Sequence, residues 1–332
     1  MLDKRFAQSL ILPAFFLLIA VVAIAAVQRM EKVAVMRETG SGKTECYSGQ
    51  IGATTTIPGG RFQMGSHAFY PEEAPLTDST VNDFNMDVHE VTNEQFRRFV
   101  DETGYVTSAE RATELGFDAN GSAVFANAHW AFVQGADWRH PDGPNSSIEG
   151  RDHEPVVQVS LKDAQAYAAS AGRRLLTEAE YEYAARGRLI GAEYAWGKEL
   201  HPNGESRANT WQGVFPFADT GDDGFSGRAA VGCFPSNPFG AYDLIGNVWE
   251  WTSDAYFPSY SERTDAGSES HPYGLDPRQP GLAVGVIKGG SFLCAENFCR
   301  RYRPAARHAQ DILLGTNHIG FRTAADAESA RP

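Results

Sequence analysis

The chain has 332 residues, 42% of them hydrophobic, with 20 Phe and six Trp. That aromatic content belongs to a folded globule with a sizeable core and excludes a disordered chain. A formal charge of −13 leaves no basic footprint for nucleic acid, so that class of partner is excluded as well.

Residues 10–27 form an almost unbroken apolar run behind Lys4 and Arg5. Its length fits a membrane-spanning helix or a long signal-peptide core. Ala23, Ala25 and Ala26 are small enough for a signal peptidase to read. The positive flank keeps that end in the cytoplasm and sends the rest across the membrane. Residues 1–27 are therefore expected to anchor or target the chain, through the membrane, with the domain in the periplasm or a secretory lumen, where thiols oxidise readily. Residues 28–53 read as a polar tether. Its GSGKT lacks the spacing of a phosphate loop and follows no strand pattern. Cys46 in this tether is either free or paired with Cys233.

No linker-like break follows between residues 54 and 328, so one domain is expected there. Thr92 with Gln95 has capping-box spacing and Gly104 ends the helix it opens; Ser160 to Gly172 and Thr177 to Gly187 bracket two more. The rest is rich in Gly, Pro, Asn and Trp, with only short strand-like runs such as PVVQVS and GVIKGGSF. Long irregular loops need fixing, and bound ions are one means. ANTWQGVFPFADTGDDGF offers Asn209, Asp219, Asp222 and Asp223, and YDLIGNVWEW offers Asp243, Asn247 and Glu250. Calcium takes six to eight such oxygens, although the same residue types are ordinary turn formers.

Cys294 and Cys299 lie in KGGSFLCAENFCRRYRPAAR. Cysteines at this spacing fall on different faces of a helix, so a bend or loop must bring them together. A pair so joined can close a disulfide, cycle as a redox couple or hold a soft metal.

Several segments in order, among them MDVHEVTNEQFRRFVDETGY, RRLLTEAEYEYAARG, LIGNVWEWTSD, the cysteine block and GFRTAAD, resemble the formylglycine-generating enzymes, the sulfatase-modifying factors. The likeness runs from Gly59 to Ala325, and the G-G-S-x-x-C-x-x-x-x-C-x-R-Y-R block is its most specific part. The resemblance implies an irregular α+β domain of the formylglycine-generating-enzyme type, related to the C-type lectin fold, with bound calcium. It implies oxidation of a cysteine in a C-x-P-x-R sequence of an unfolded sulfatase to Cα-formylglycine, with Cu(I) and O₂. Cys294 and Cys299 would hold the copper, Cys299 would form a mixed disulfide with substrate, and Ser291 would line the active site as a catalytic residue. One calcium would take the Asn209 and Asp223 side chains with the Thr210 and Phe225 carbonyls. A second would take the Asp243 and Glu250 side chains with the Gly246 and Val248 carbonyls. The chain departs from the family at Ala295 and Phe298, and HAQDILLGTNHIGF replaces a familiar N-T-P-D-S run. The alternative, a catalytically silent lectin-like paralogue that binds or chaperones sulfatases, would be expected to lack the cysteine pair.

Overall fold

Reciprocal capping boxes open three helices in the computed structural model, which describes residues 46–262 and 274–327. Thr92 opens α1 (Asn93–Thr103), its hydroxyl accepting the Gln95 N–H while the Gln95 side chain accepts the Thr92 N–H. Ser160 with Asp163 opens α2 (Leu161–Ser170), and Thr177 with Glu180 opens α3 (Glu178–Arg186). Each box satisfies donors that the first helical turn leaves without partners. Gly104 and Gly187 end α1 and α3 at φ of 67° and 55°, the left-handed region where glycine carries no steric cost.

The strands are short and pair out of chain order. One sheet runs Thr54–Ile57, Phe84–Asp87, Thr323–Asp326 and Arg174–Leu175, antiparallel throughout. A second runs Arg307–Asp311, Val284–Lys288, Trp249–Ala255 and Ile319–Gly320, with only the last pairing parallel. Of three separate hairpins, the one joining Gly121–Ala126 to His129–Gln134 turns through Asn127 and Ala128, both at positive φ, as a two-residue primed turn requires. The main core gathers Ile57 and Phe84 from the first sheet, Trp251 and Ile287 from the second, Phe96, Ala164 and Tyr181 from the three helices, and Trp138 and Phe321 from loops. This irregular α+β domain has the architecture expected from the resemblance.

Residues from Cys46 onward form one compact unit. Cys46 is bonded to Cys233, so the pairing left open by the sequence is a disulfide. It fastens residues 46–53 to the domain, with the Tyr47 ring edge-on to His89 and Tyr242. The apolar run 10–27 and most of the tether lie outside the described residues. Among the described residues no helix is long and apolar enough to cross a membrane.

Much of the loop structure is held by buried ion pairs. Arg303 is paired with Glu73, Arg307 with Glu178, Arg322 with Glu250 and Lys288 with Glu182, and all eight residues are buried. Such groups tolerate burial only when paired and hydrogen-bonded. The Arg322–Glu250 pair meets that condition through two 2.7 Å bonds.

Candidate functional site

Val284–Lys288, buried at every residue, leads directly into the cysteine segment. Gly289 and Gly290 follow at φ of 95° and 79°, and a Cβ on Gly290 would lie 2.9 Å from the Arg301 carbonyl oxygen. Only glycine fits that approach. Two successive turns come next, with Ser291 O accepting the Cys294 N–H at 2.8 Å and Ala295 O accepting the Cys299 N–H at 2.9 Å. They fold the five-residue spacing back on itself. The two sulfurs stand 3.0 Å apart as unbonded thiols.

The thiols are not equivalent. Cys294 is buried and Cys299 half-buried. Burial pushes the Cys294 thiol well above its ordinary range. Cys299 is drawn down to about 6, first by the Cys294 thiol donating to it and then by the Arg301 guanidinium. The two environments bias the pair's negative charge toward Cys299, on the more open side. Two soft donors held this way suit Cu(I), which accepts low coordination by thiolates. Among the described residues no three His, Cys, Asp or Glu side chains gather into a metal cluster. A metal at the thiols would therefore have two protein ligands and room for a third from outside.

The arginines beside Cys299 serve the frame. Arg301 bonds Glu72 and lies over the Tyr70 ring at 3.8 Å, while Arg303 bonds Glu73 and lies over Phe69 at 3.8 Å. An aromatic shelf starts at Phe298, which is 65% exposed. It stacks on Phe215 at 4.4 Å, Phe215 stacks on Phe125, and Phe125 meets Trp130. Trp130 in turn meets the His318 ring at 4.9 Å. His318 Nδ1 lies 3.0 Å from Ser291 Oγ. Burial, with the neighbouring His308 and Arg228 charges adding, pushes the His318 imidazole down to about 3. Ser291 itself is fully buried. Sequence reasoning flagged the 308–318 stretch as a departure without singling out His318, because one histidine in a polar loop has no spacing signal.

The two expected calcium loops lie against each other. Asn209 O accepts the Asn247 N–H at 2.9 Å, and Asn209 Nδ2 donates to Asn247 Oδ1 at 3.0 Å. In the first loop, Gln212 Nε2 sits 3.1 Å from Thr210 O, 2.9 Å from Thr210 Oγ1 and 3.5 Å from Asp223 Oδ2. That is an oxygen cradle around a donor. Burial, opposed by hydrogen bonds and reinforced by Asp219, pushes the Asp223 carboxyl up to about 6. The donor set fits a hard cation, with Phe225 N–H on Asp223 Oδ1 fixing the loop.

In the second loop, Asp243 accepts the Gly232 N–H at 2.5 Å and is pushed up to about 6, chiefly by burial. Glu250 already accepts from Arg322 and Tyr181. Glu90, buried nearby, has one carboxylate oxygen without a hydrogen bond, 4.0 Å from the Arg322 guanidinium, and is raised well above its ordinary range by burial and the Asp243 charge. Three buried carboxylates around one arginine carry excess negative charge, which a divalent cation on Asp243 and the Gly246 and Val248 carbonyls would offset. A cleft of about 1200 Å³ lies between the paired strands Gly60–Met64 and Thr77–Val81 and residues 188–193. It contains no thiol, so the chemistry is assigned to the cysteines and not to the volume.

Comparison with known proteins identifies the family and the fold. The Sulfatase-modifying factor enzyme 1-like domain family is matched over residues 41–327. A formylglycine-generating enzyme of Mycobacterium tuberculosis is 47% identical over 82% of this chain and 97% of its own length. A relative from Mus musculus named as an inactive Cα-formylglycine-generating enzyme 2 is 45% identical over 83% of this chain and 86% of its own. The solved structure of PvdO from Pseudomonas aeruginosa shares the fold at a TM-score of 0.58 and 23% identity, covering 84% of this chain and all of that one. With the match spanning every described residue, the thiol pair included, the chain belongs to the sulfatase-modifying factor family.

Proposed function

We propose that this chain converts a cysteine of an unfolded sulfatase polypeptide, carried in a C-x-P-x-R sequence, to Cα-formylglycine with Cu(I) and O₂. The observation that carries the reading is the reduced pair Cys294 and Cys299 with sulfurs 3.0 Å apart. A protein that only bound sulfatases would have no use for two unbonded thiols beside Arg301. Cys294, buried, supplies a fixed donor. Cys299, half-buried and already biased toward thiolate, is the one a substrate sulfur can reach. Arg301 steadies that negative charge, and the shelf from Phe298 to Trp130 offers an apolar floor for the flanking peptide.

Bound at the two thiolates, Cu(I) would supply a soft site for the substrate thiolate and one-electron chemistry toward O₂. The substrate's S–H and Cβ–H are lost as the carbon is oxidised to a thioaldehyde, and water then replaces sulfur, releasing H₂S. O₂ takes up the electrons, with an added thiol supplying the second pair when it is reduced to water. Calcium at the two loops would hold the shelf's supporting segments. The Cys46–Cys233 disulfide supports a domain outside the cytoplasm, where such bonds persist, tethered or targeted by residues 1–27.

The test is to incubate the purified full-length chain in detergent with copper, a thiol reductant and a Leu-Cys-x-Pro-x-Arg peptide, and read the peptide's mass. Conversion to the aldehyde is expected, and Cys294→Ser and Cys299→Ser should both abolish it. Peptide binding without any mass change would overturn the oxidase reading in favour of a binding module.

A further inference from the structure

Ser291 and His318 stand in an order that the resemblance does not anticipate. Ser291 is fully buried, whereas His318, though largely covered, keeps some exposure beside the Trp130 ring, itself 46% exposed. The serine is thus behind and the histidine in front. Ser291 Oγ accepts the Leu293 N–H at 3.2 Å and lies 3.0 Å from His318 Nδ1. A buried hydroxyl proton left without an acceptor is costly, and Nδ1 is the acceptor on hand among the described residues. Its acceptance of the serine proton fixes the tautomer, since the bond made by one ring nitrogen decides the state of the other. Nε2 then carries the hydrogen. Among the described residues it has no hydrogen-bond partner.

We propose that His318 is a substrate-contacting donor of this site, its Nε2–H directed to a main-chain carbonyl of the bound polypeptide at the end of the aromatic shelf away from the reacting cysteine, with Ser291 as the positioning residue behind it. The proposal rests on the polypeptide-substrate reading above. Ring contacts link His318 through Trp130, Phe125 and Phe215 to Phe298, the residue before Cys299. A peptide lying along that shelf with its cysteine at Cys299 would meet His318 at the other end. The carbonyl is the chemical feature recognised, so the contact constrains the strand's placement more than its side chains.

Two independent readouts test this. In the full-length chain labelled at histidine nitrogen, long-range ¹⁵N–¹H spectra should show His318 as the Nε2–H tautomer. Ser291→Ala should convert it to a tautomer mixture. In peptide assays, His318→Leu should raise KM and weaken affinity for a Cys→Ser peptide roughly tenfold, the scale of one hydrogen bond, with kcat changing less. His318→Gln, which puts an amide donor near the Nε2 position, should recover most of that. The Ser291→Ala/His318→Leu double variant should be no worse than His318→Leu alone. An Nδ1–H tautomer in the wild type, unchanged affinity in a folded His318→Leu chain, or additive losses would each overturn the proposal. A wild-type chain that binds the peptide without converting it would sink the oxidase reading alone, because affinity still reads the His318 contact. A chain that does neither overturns both.

Discussion

Opening the Cys46–Cys233 bridge is the perturbation whose size the structure fixes best. The bond links residues 187 apart in sequence. In the chain-entropy account, closing a loop of that length costs the unfolded chain about 5 kcal/mol of entropy at 25 °C. That is an upper value, because residues 46–53 keep other contacts: Tyr47 lies edge-on to His89 and Tyr242, and the Val88 N–H donates to Ala53 O at 3.0 Å. The Cys46→Ser/Cys233→Ser double variant should therefore lose about 2–5 kcal/mol. For a domain of this size that lowers Tm by roughly 3–9 °C. Urea unfolding followed by Trp fluorescence reads it directly, and the double substitution leaves the thiols of Cys294 and Cys299 as the remaining pair. The urea slope of the variant should be larger, since its unfolded state is less compact. A loss below about 1 kcal/mol with an unchanged slope would refute the reasoning. It would mean that packing alone holds the segment or that the bridge is absent in the folded protein. Thiol counting under denaturant separates these, with two reactive thiols expected before reduction and four after.

Chelating calcium should lower the wild-type Tm, with the bound ion contributing about 2.7 kcal/mol per site at free calcium one hundred times Kd. Asp223→Asn should reproduce part of that fall, and identical melts with and without chelator would remove both sites. Arg322→Met leaves Glu250 and Glu90 buried without their cation and should cost about 3–5 kcal/mol in urea unfolding. An effect within experimental error would show the carboxylates protonated or otherwise neutralised. His89, pushed down to about 4 chiefly by burial, should make the protein less stable in acid. The unfolded chain takes up a proton near pH 6.5 that the folded one refuses until about pH 4, so this contribution is intact above pH 6.5 and is lost as pH falls between them. The loss approaches roughly 3 kcal/mol, and a His89→Gln chain should show a shallower acid-side slope.

What was legible in the sequence is what depends on near neighbours. Thr92 with Gln95 and Thr177 with Glu180 announce helix starts because both partners of a capping box lie within one turn. The cysteine spacing announced a bend, because a helix would have set the two thiols apart, and turns at Ser291 and Ala295 supply it. Whether Cys46 is bonded to Cys233 was not legible, since nothing local distinguishes a bridge between residues 187 apart from a free thiol. Nor was the first sheet's order, in which Thr323–Asp326 separates Phe84–Asp87 from Arg174–Leu175. The Ser291–His318 contact crosses 27 residues and leaves no periodicity behind.

The arginines after Cys299 show why the rest was hidden. In sequence they are a basic flank to the second cysteine. In the structure Arg303 and Arg307 are buried against Glu73 and Glu178, and Arg301 is bonded to Glu72 while lying beside Cys299. A block that resembles a binding surface is therefore mostly a clamp. It ties the cysteine turn to residues 71–73 and to the start of α3, more than a hundred residues earlier in the chain. Bound ions were the expected means of fixing these loops, yet the described residues already achieve much of it with buried pairs. That has a functional consequence. The pairs that Arg301, Arg303 and Arg307 make with Glu72, Glu73 and Glu178 anchor the turn carrying Cys299, so substituting any of those carboxylates should disturb the thiol pair as well as the loop.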